Sequence, residues 1–342
     1  MKQKIVMCLL AGVLVLGIGG CGAQEVEVPE VENIETAEEE PVPKETEAEE
    51  EPEQSDAETA PEEAPVKEDA VEPEETEPEE TEAASAPVVY EDGGQITLDP
   101  SWTYADHSKI NSGAAVLYKA AENRKEIVVG VNAGHGTSGG TKVKTLCHPD
   151  GSAKVTGGTT AAGATEAVAV SSGMTFNDGT PESSVTLRMA QILKEKLLAA
   201  GYDVLMLRDG DDVQLDNVAR TVICNNAADC HIALHWDGDG LNYDKGCFYI
   251  SVPDGLKSME PVASHWSEHN ALGSALVEGL RAQGAKINGG GSMSIDLTQT
   301  SYSTIPSVDM ELGNACSDHS DSVLDLLGNG LVQGVNSYFG QS

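Results

Sequence analysis

Apolar and polar positions beyond residue 95 alternate between two kinds of segment. A short apolar run, "IVVGV" at 127–131, reads as a buried strand. A Gly-, Thr- and Ala-rich stretch then continues to about Gly179 and predicts a long loop. "PESSVTLRMAQILKEKLLAAGYDV" opens on Pro181, a residue suited to a first helical turn. Val185, Met189, Ile192, Leu193, Lys196 and Leu197 recur at helical spacing with only Lys196 polar, and Gly201 is a natural stop. "DVLMLRD" reads as a strand, "LDNVARTVICNNA" as a helix, and "CHIALHW" (230–236) and "CFYISV" (247–252) as strands. Residues 263–283 predict a helix followed by irregular chain, "SVDMEL" (307–312) a strand, and residues 321–338 a final helix. Strands alternating with helices predict an α/β fold, with a mostly parallel central sheet flanked by helices on both faces. The folded part spans about Gln95 to Phe339, long enough for one substantial core.

Sites in such sheets gather at the carboxyl ends of the strands. His135 lies just past one apolar strand, His235 ends another, and Glu311 lies near the end of a third. Glu182 opens the helix after the His135 loop. Two imidazoles and two carboxylates are therefore expected on one sheet edge. Two His and one carboxylate with an open fourth position form a known catalytic zinc arrangement. The glycines beside His135 are expected to turn the backbone sharply and leave the imidazole uncrowded. His231 precedes His235 by four residues, which on a strand span about 13 Å, so both cannot reach one ion; His231 is read as structural. Glu182 has a rival in Glu166, which lies among the 46 residues between it and His135. A second pattern, "HWSEH" at 265–269, fits the His-x-x-Glu-His arrangement of inverted zinc peptidases and offers His265 and His269 instead.

Four ordered blocks carry a family resemblance. "IVVGVNAGHGTSGG" resembles the opening "(I/V)-x-(I/L)-D-P-G-H-G-G" of the zinc-dependent N-acetylmuramoyl-L-alanine amidases. "PESSVTLRMAQILKEKLLAAGYDVLMLRDGD" is similar to their second block, a Glu before an "x-x-V-x-L" helix and a strand ending in "TRD". "RTVICNNAADCHIALHWDGD" resembles their "R-x-x-x-A-N-x-x-x-A-D-x-x-I-S-x-H-A-N-A", and "IPSVDMELGNACSDHSD" their "P-x-x-L-x-E-x-G-F-x-S-N". The match covers roughly 127–339. The resemblance implies Zn2+ held by His135, Glu182 and His235, with Glu311 as the catalytic carboxylate. It places Arg208 and Arg220 at family positions, where they are expected to brace the fold. It also implies the activity: hydrolysis of the amide between N-acetylmuramic acid and L-alanine, with peptidoglycan as substrate. The chain departs from the family where Asp-Pro before Gly-His is Asn132-Ala133, and where Ala-Asn-Ala after the third ligand is Trp236-Asp237-Gly238. A non-catalytic peptidoglycan-binding lipoprotein on the same fold is the alternative of another class.

Charge divides the chain. Of a net −37, residues 22–92 carry −27, from 29 Asp and Glu against 2 Lys. So acidic a chain is not expected to bind nucleic acid. The first 21 residues, "MKQKIVMCLLAGVLVLGIGGC", have a positive start, an apolar run too short to span a bilayer, and small residues. "IGGC" resembles the lipobox of bacterial lipoproteins, implying cleavage before Cys21 and its acylation. The expectation is a signal peptide over 1–21 and a lipid anchor at Cys21 that holds the protein to the membrane, facing the cell wall. Residues 22–97 are Glu-, Pro-, Thr- and Ala-rich and predict a disordered linker. Its reach is at most roughly 200 Å. Residues 98–342 are expected to form the catalytic domain. Beyond Cys8 and Cys21, five cysteines remain, at spacings that match no Cys-x-x-Cys metal pattern; they read as mostly buried thiols.

Overall fold

The computed structural model describes residues 90–341. The expected signal peptide, Cys21 and nearly all of the acidic segment lie outside them.

The strands are β1 (Gln95–Ile96), β2 (Ala115–Tyr118), β3 (Val128–Ala133), β4 (Lys144–Leu146), β5 (Glu166–Val168), β6 (Asp203–Met206), β7 (Cys230–Asp237), β8 (Cys247–Ser251), β9 (Ile287–Ser294) and β10 (Ser307–Asn314). The helices are α1 (Glu182–Ala199), α2 (Asn217–Ala227), α3 (Val262–Ala282), α4 (Thr298–Tyr302) and α5 (Asp321–Tyr338). Eight strands form one sheet in the order β1-β2-β6-β3-β7-β10-β8-β9. The central four, β6, β3, β7 and β10, run parallel; β2 and β8 pair antiparallel with their inner neighbours. This is the α/β architecture that the alternation of segments implies.

Period-two alternation sorts side chains between the two faces. Val129, Val131 and Ala133 of β3, Ile232 and Leu234 of β7, and Val308 and Met310 of β10 pack into one core with α1, α3 and α5. Leu205 of β6 packs on the other face against Ala219 and Ile223 of α2. Tyr302 of α4 joins Val218 and Val222 of α2 there. On α1, Val185, Met189, Leu193 and Leu197 are buried at four-residue intervals, as the helical spacing requires. Asp216 caps α2: its carboxylate accepts from Ala219 N at 2.8 Å and also ties down Lys109 N and Ile110 N. Pro181 adopts an extended conformation just before α1, so Glu182 is the first helical residue.

The structure adds elements that the pattern does not predict. β1 pairs with β2, so the folded chain begins a few residues ahead of residue 98. The stretch expected to be irregular after α3 contains β9, an edge strand, followed by α4. The long loop after β3 carries the β4–β5 hairpin. Cys147, Cys224, Cys230 and Cys247 are buried free thiols and Cys316 is a partly buried one. Among the described residues, no helix is long and apolar enough to cross a membrane.

Candidate metal centre and active site

Three chain segments bring their donors to one point at the carboxyl edge of the sheet. β3 ends at Ala133 and the next two residues carry His135 over that edge. His135 itself takes a left-handed backbone, φ 65°. A β-carbon is uncomfortable there, so the loop must be held. Arg220 of α2 does this, donating from Nη2 to His135 O at 2.7 Å and from Nη1 to Asn132 Oδ1 at 2.9 Å and Ala133 O at 3.1 Å. Arg208 donates to Ala133 O at 3.2 Å, Gly134 O at 3.0 Å and Ser183 O at 2.8 Å. Both guanidiniums are buried and spend their donors on carbonyls and side-chain oxygens rather than carboxylates. These bonds tie both guanidiniums to the β3 end and the His135 loop, and Asn132 in place of Asp still supplies an acceptor to Arg220.

His135 Nε2 lies 2.8 Å from Glu182 Oε1 and 3.0 Å from His235 Nδ1, and His235 Nδ1 lies 3.1 Å from Glu182 Oε1. The other atoms of these groups are spoken for. His135 Nδ1 donates to Ser171 O at 2.9 Å, which leaves Nε2 with its lone pair toward the cluster. Glu182 Oε2 accepts from Met174 N at 2.8 Å and Oε1 from Trp236 N at 3.0 Å. Ser171 and Met174 belong to the long segment after His135, which therefore returns to support the site. Gly173 lies between them with φ 80°. A β-carbon there would come within 2.7 Å of the His135 ring and 2.8 Å of Glu182 Oε2.

Glu311 lies beside His235, its register partner on β10, on the same sheet face. Its Oε2 is buried without a protein partner. Burial, reinforced by neighbouring Asp309, pushes the Glu311 carboxyl well above the usual range. Burial opposes ionisation of Glu182 as well, yet the two imidazoles beside it hold its carboxyl well below the usual range. Burial also works against a His235 cation, but Asp309, then Glu182, drive its pKa up to about 10. Two buried donors and one partly exposed donor thus converge on a point where a cation would be held. A tetrahedral metal with bonds of about 2.0–2.1 Å holds its donors ~3.3 Å apart, so the group fits a divalent ion after a shift of a few tenths of an ångström. Among the described residues, His135, Glu182 and His235 are the single group of three or more His, Cys, Asp or Glu that converges in this way. They line a cavity of about 590 Å³ together with Asp309 and Glu311.

The rival ligands are not brought to the site. Glu166 sits exposed on β5 in the outer hairpin. The His-x-x-Glu-His pattern does not form a cluster. His269 is buried and accepts Ser307 N through Nδ1 at 3.0 Å, while His265 pairs on the surface with Glu268 at 3.4 Å. His231 is fully buried beside Ser307 Oγ, a structural role as read from strand geometry. Asp309 is a site residue that sequence reasoning missed. The signal was present: in "SVDMEL" Asp309 and Glu311 alternate with Val308, Met310 and Leu312, which puts both acids on one face.

Fold and site together define an α/β protein with a His-Glu-His centre suited to a metal and a largely enclosed carboxylate beside it. The chain belongs to the N-acetylmuramoyl-L-alanine amidase family, whose model matches residues 129–325. It hydrolyses the amide bond between N-acetylmuramic acid and L-alanine in peptidoglycan. The fold is similar to that of the N-acetylmuramyl-L-alanine amidase Ami1 from Mycobacterium smegmatis. That pair shares 20% identity over 64% of this chain and 99% of that one, with a TM-score of 0.53. It is also similar to the apo form of Ami1 from Mycobacterium abscessus, at 21% identity over 63% of this chain and 99% of that one, TM-score 0.50. Comparison with curated proteins gives no match.

Proposed function

We propose that the metal is zinc, that His135, Glu182 and His235 hold it, and that Glu311 moves the protons of the reaction. The observation that carries this is the convergence of three donor atoms within 3.1 Å of one another, with Glu311 in register beside His235. Neutral imidazole nitrogen and carboxylate oxygen are zinc's preferred hard-to-borderline donors. Zinc bound there supplies a Lewis acid that polarises the scissile carbonyl and makes water acidic enough to ionise near neutral pH. Glu311 accepts the proton from the attacking water as the new carbon–oxygen bond forms. It returns a proton to the alanine nitrogen as the carbon–nitrogen bond breaks, leaving a lactyl carboxylic acid and a free peptide amine. Arg208 and Arg220 fix the His135 backbone, and Ser171 O selects the tautomer that turns Nε2 to the ion.

The same reading extends to the N-terminal part. Acylation at Cys21 would tether the enzyme outside the cytoplasm at the membrane, and the acidic segment would carry the domain toward the wall.

Zinc content of the purified protein and of its His135→Ala, His235→Ala, His265→Ala and His269→Ala variants tests the site. Loss of zinc in the first pair only is expected. Loss in the second pair, with the first unaffected, would overturn it.

A further inference from the structure

We propose that Asp309 is a positioning residue for the metal centre: its carboxylate faces the Nε2–H of His235 and so aims Nδ1 at the ion. This rests on the metal-binding reading above. Asp309 Oδ2 lies 3.9 Å from His235 Nε2, and His235 is the one basic side chain in ion-pair reach of it among the described residues. The other oxygen, Oδ1, is buried with no hydrogen-bond partner. Only 13% of the side chain is exposed. A largely enclosed carboxylate with so little compensation is unfavourable unless it serves a cationic neighbour.

The strand geometry makes the relationship specific. Asp309 pairs in register with Ala233, and Glu311 with His235. Asp309 therefore stands two residues back from Glu311 on the same face, on the side of the His235 ring away from His135 and Glu182. A neutral imidazole has one proton. A metal on Nδ1 requires that proton on Nε2, the nitrogen that lies 3.9 Å from Asp309 Oδ2, a gap that a small turn of either side chain closes. A carboxylate accepting from the distal N–H fixes tautomer and ring orientation and makes the ligating nitrogen more basic. The other imidazole uses a backbone carbonyl, Ser171 O, for the same purpose. In the block "P-x-x-L-x-E" that the segment Pro306–Glu311 resembles, Asp309 stands at the leucine, so this carboxylate is a feature of this chain.

Asp309 also lines the cavity, where a cationic group of the substrate is the competing partner. Zinc affinity of the full chain, measured by competition with a chromogenic chelator, separates the two roles. The variants are Asp309→Asn, Asp309→Leu and Asp309→Glu, with the visible spectrum of the cobalt-substituted forms as a second readout. Asp309→Leu and Asp309→Asn are expected to bind zinc about 10- to 100-fold more weakly and to shift the cobalt spectrum, with partial recovery in Asp309→Glu. Unchanged affinity and spectrum in Asp309→Asn overturn the proposal, as does unchanged affinity combined with a raised KM for peptidoglycan. A wild-type chain that binds no zinc at all overturns the metal reading itself, which is a different outcome.

Discussion

Gly134 and His235 are in contact across the sheet edge: a β-carbon built on Gly134 would lie 2.3 Å from Cε1 of the His235 ring. Gly134 is thus required by the imidazole on the neighbouring strand rather than by a turn, since the left-handed residues are His135 and Gly136. Gly134→Ala is expected to push the ring aside. Displacement of a catalytic group by about 1 Å costs on the order of 100-fold in rate. Zinc content and stem-peptide release should both fall. Gly139→Ala is the comparison, because that residue has φ 83° but nothing within 4 Å of the added methyl. It should lose stability and keep its zinc.

Glu311→Gln keeps the shape of the side chain and removes its proton transfer. kcat for release of stem peptide from peptidoglycan is expected to drop by roughly 10²–10⁴. Metal analysis of the same preparation should show the zinc retained. A variant that remains active would remove Glu311 from the chemistry.

Arg220 donates to His135 O, Asn132 Oδ1, Ala133 O, Leu215 O and Thr137 Oγ1. Arg220→Met strands these acceptors in the interior, at about 1–3 kcal/mol for each group left unsatisfied. A fall in melting temperature together with weaker zinc binding is the expected result. Arg220→Lys should rescue little, because an ammonium cannot present the planar fork that reaches both strand end and loop. Calorimetry of the three proteins decides it.

His231 and His269 provide a pH dependence apart from the His-Glu-His cluster. Burial lowers the pKa of each to about 3. Unfolding returns them to about 6.5, so below that value the unfolded chain binds more protons than the folded one. Their contribution to stability is whole above pH 6.5 and is lost as the pH falls toward 3, at up to about 1.4 kcal/mol per pH unit for each group. Denaturant unfolding between pH 7 and 4 should show this slope, and His231→Gln should make it shallower. An unchanged slope in the variant would contradict the burial account.

Much of the site was legible from strand ends. His135, Glu182, His235 and Glu311 each sit at or just past the boundary of an element that the apolar pattern already marks, and the carboxyl edge of a parallel sheet collects such residues. The final helix over 321–338 was equally plain, because its amphipathic period is unbroken. β9 was not: "INGGGSMS" carries three consecutive glycines, two of them with positive φ, and only one of its eight residues is buried. Hydrogen bonding to β8 makes it a strand, and that information lies in β8. Asp309 went unread for a different reason. Alternation put it on the right face, but its significance depends on where the distal nitrogen of His235 points.

What the sequence determined by itself was the order of the main strands and helices and the identity of four residues delivered to one edge, since both follow from local periodicity and from the direction of parallel strands. Only the tertiary structure decided which carboxylate completes the cluster. Glu166 and Glu182 are both acids after the same loop, and the loop's path leaves one in solvent and carries the other to within 2.8 Å of His135. It also decided that His265 and His269 do not meet, and that the long segment after His135 turns back to hold the imidazole by Ser171 O and the carboxylate by Met174 N. These are contacts between residues far apart in the chain. Their energies depend on burial and direction, which no local pattern contains.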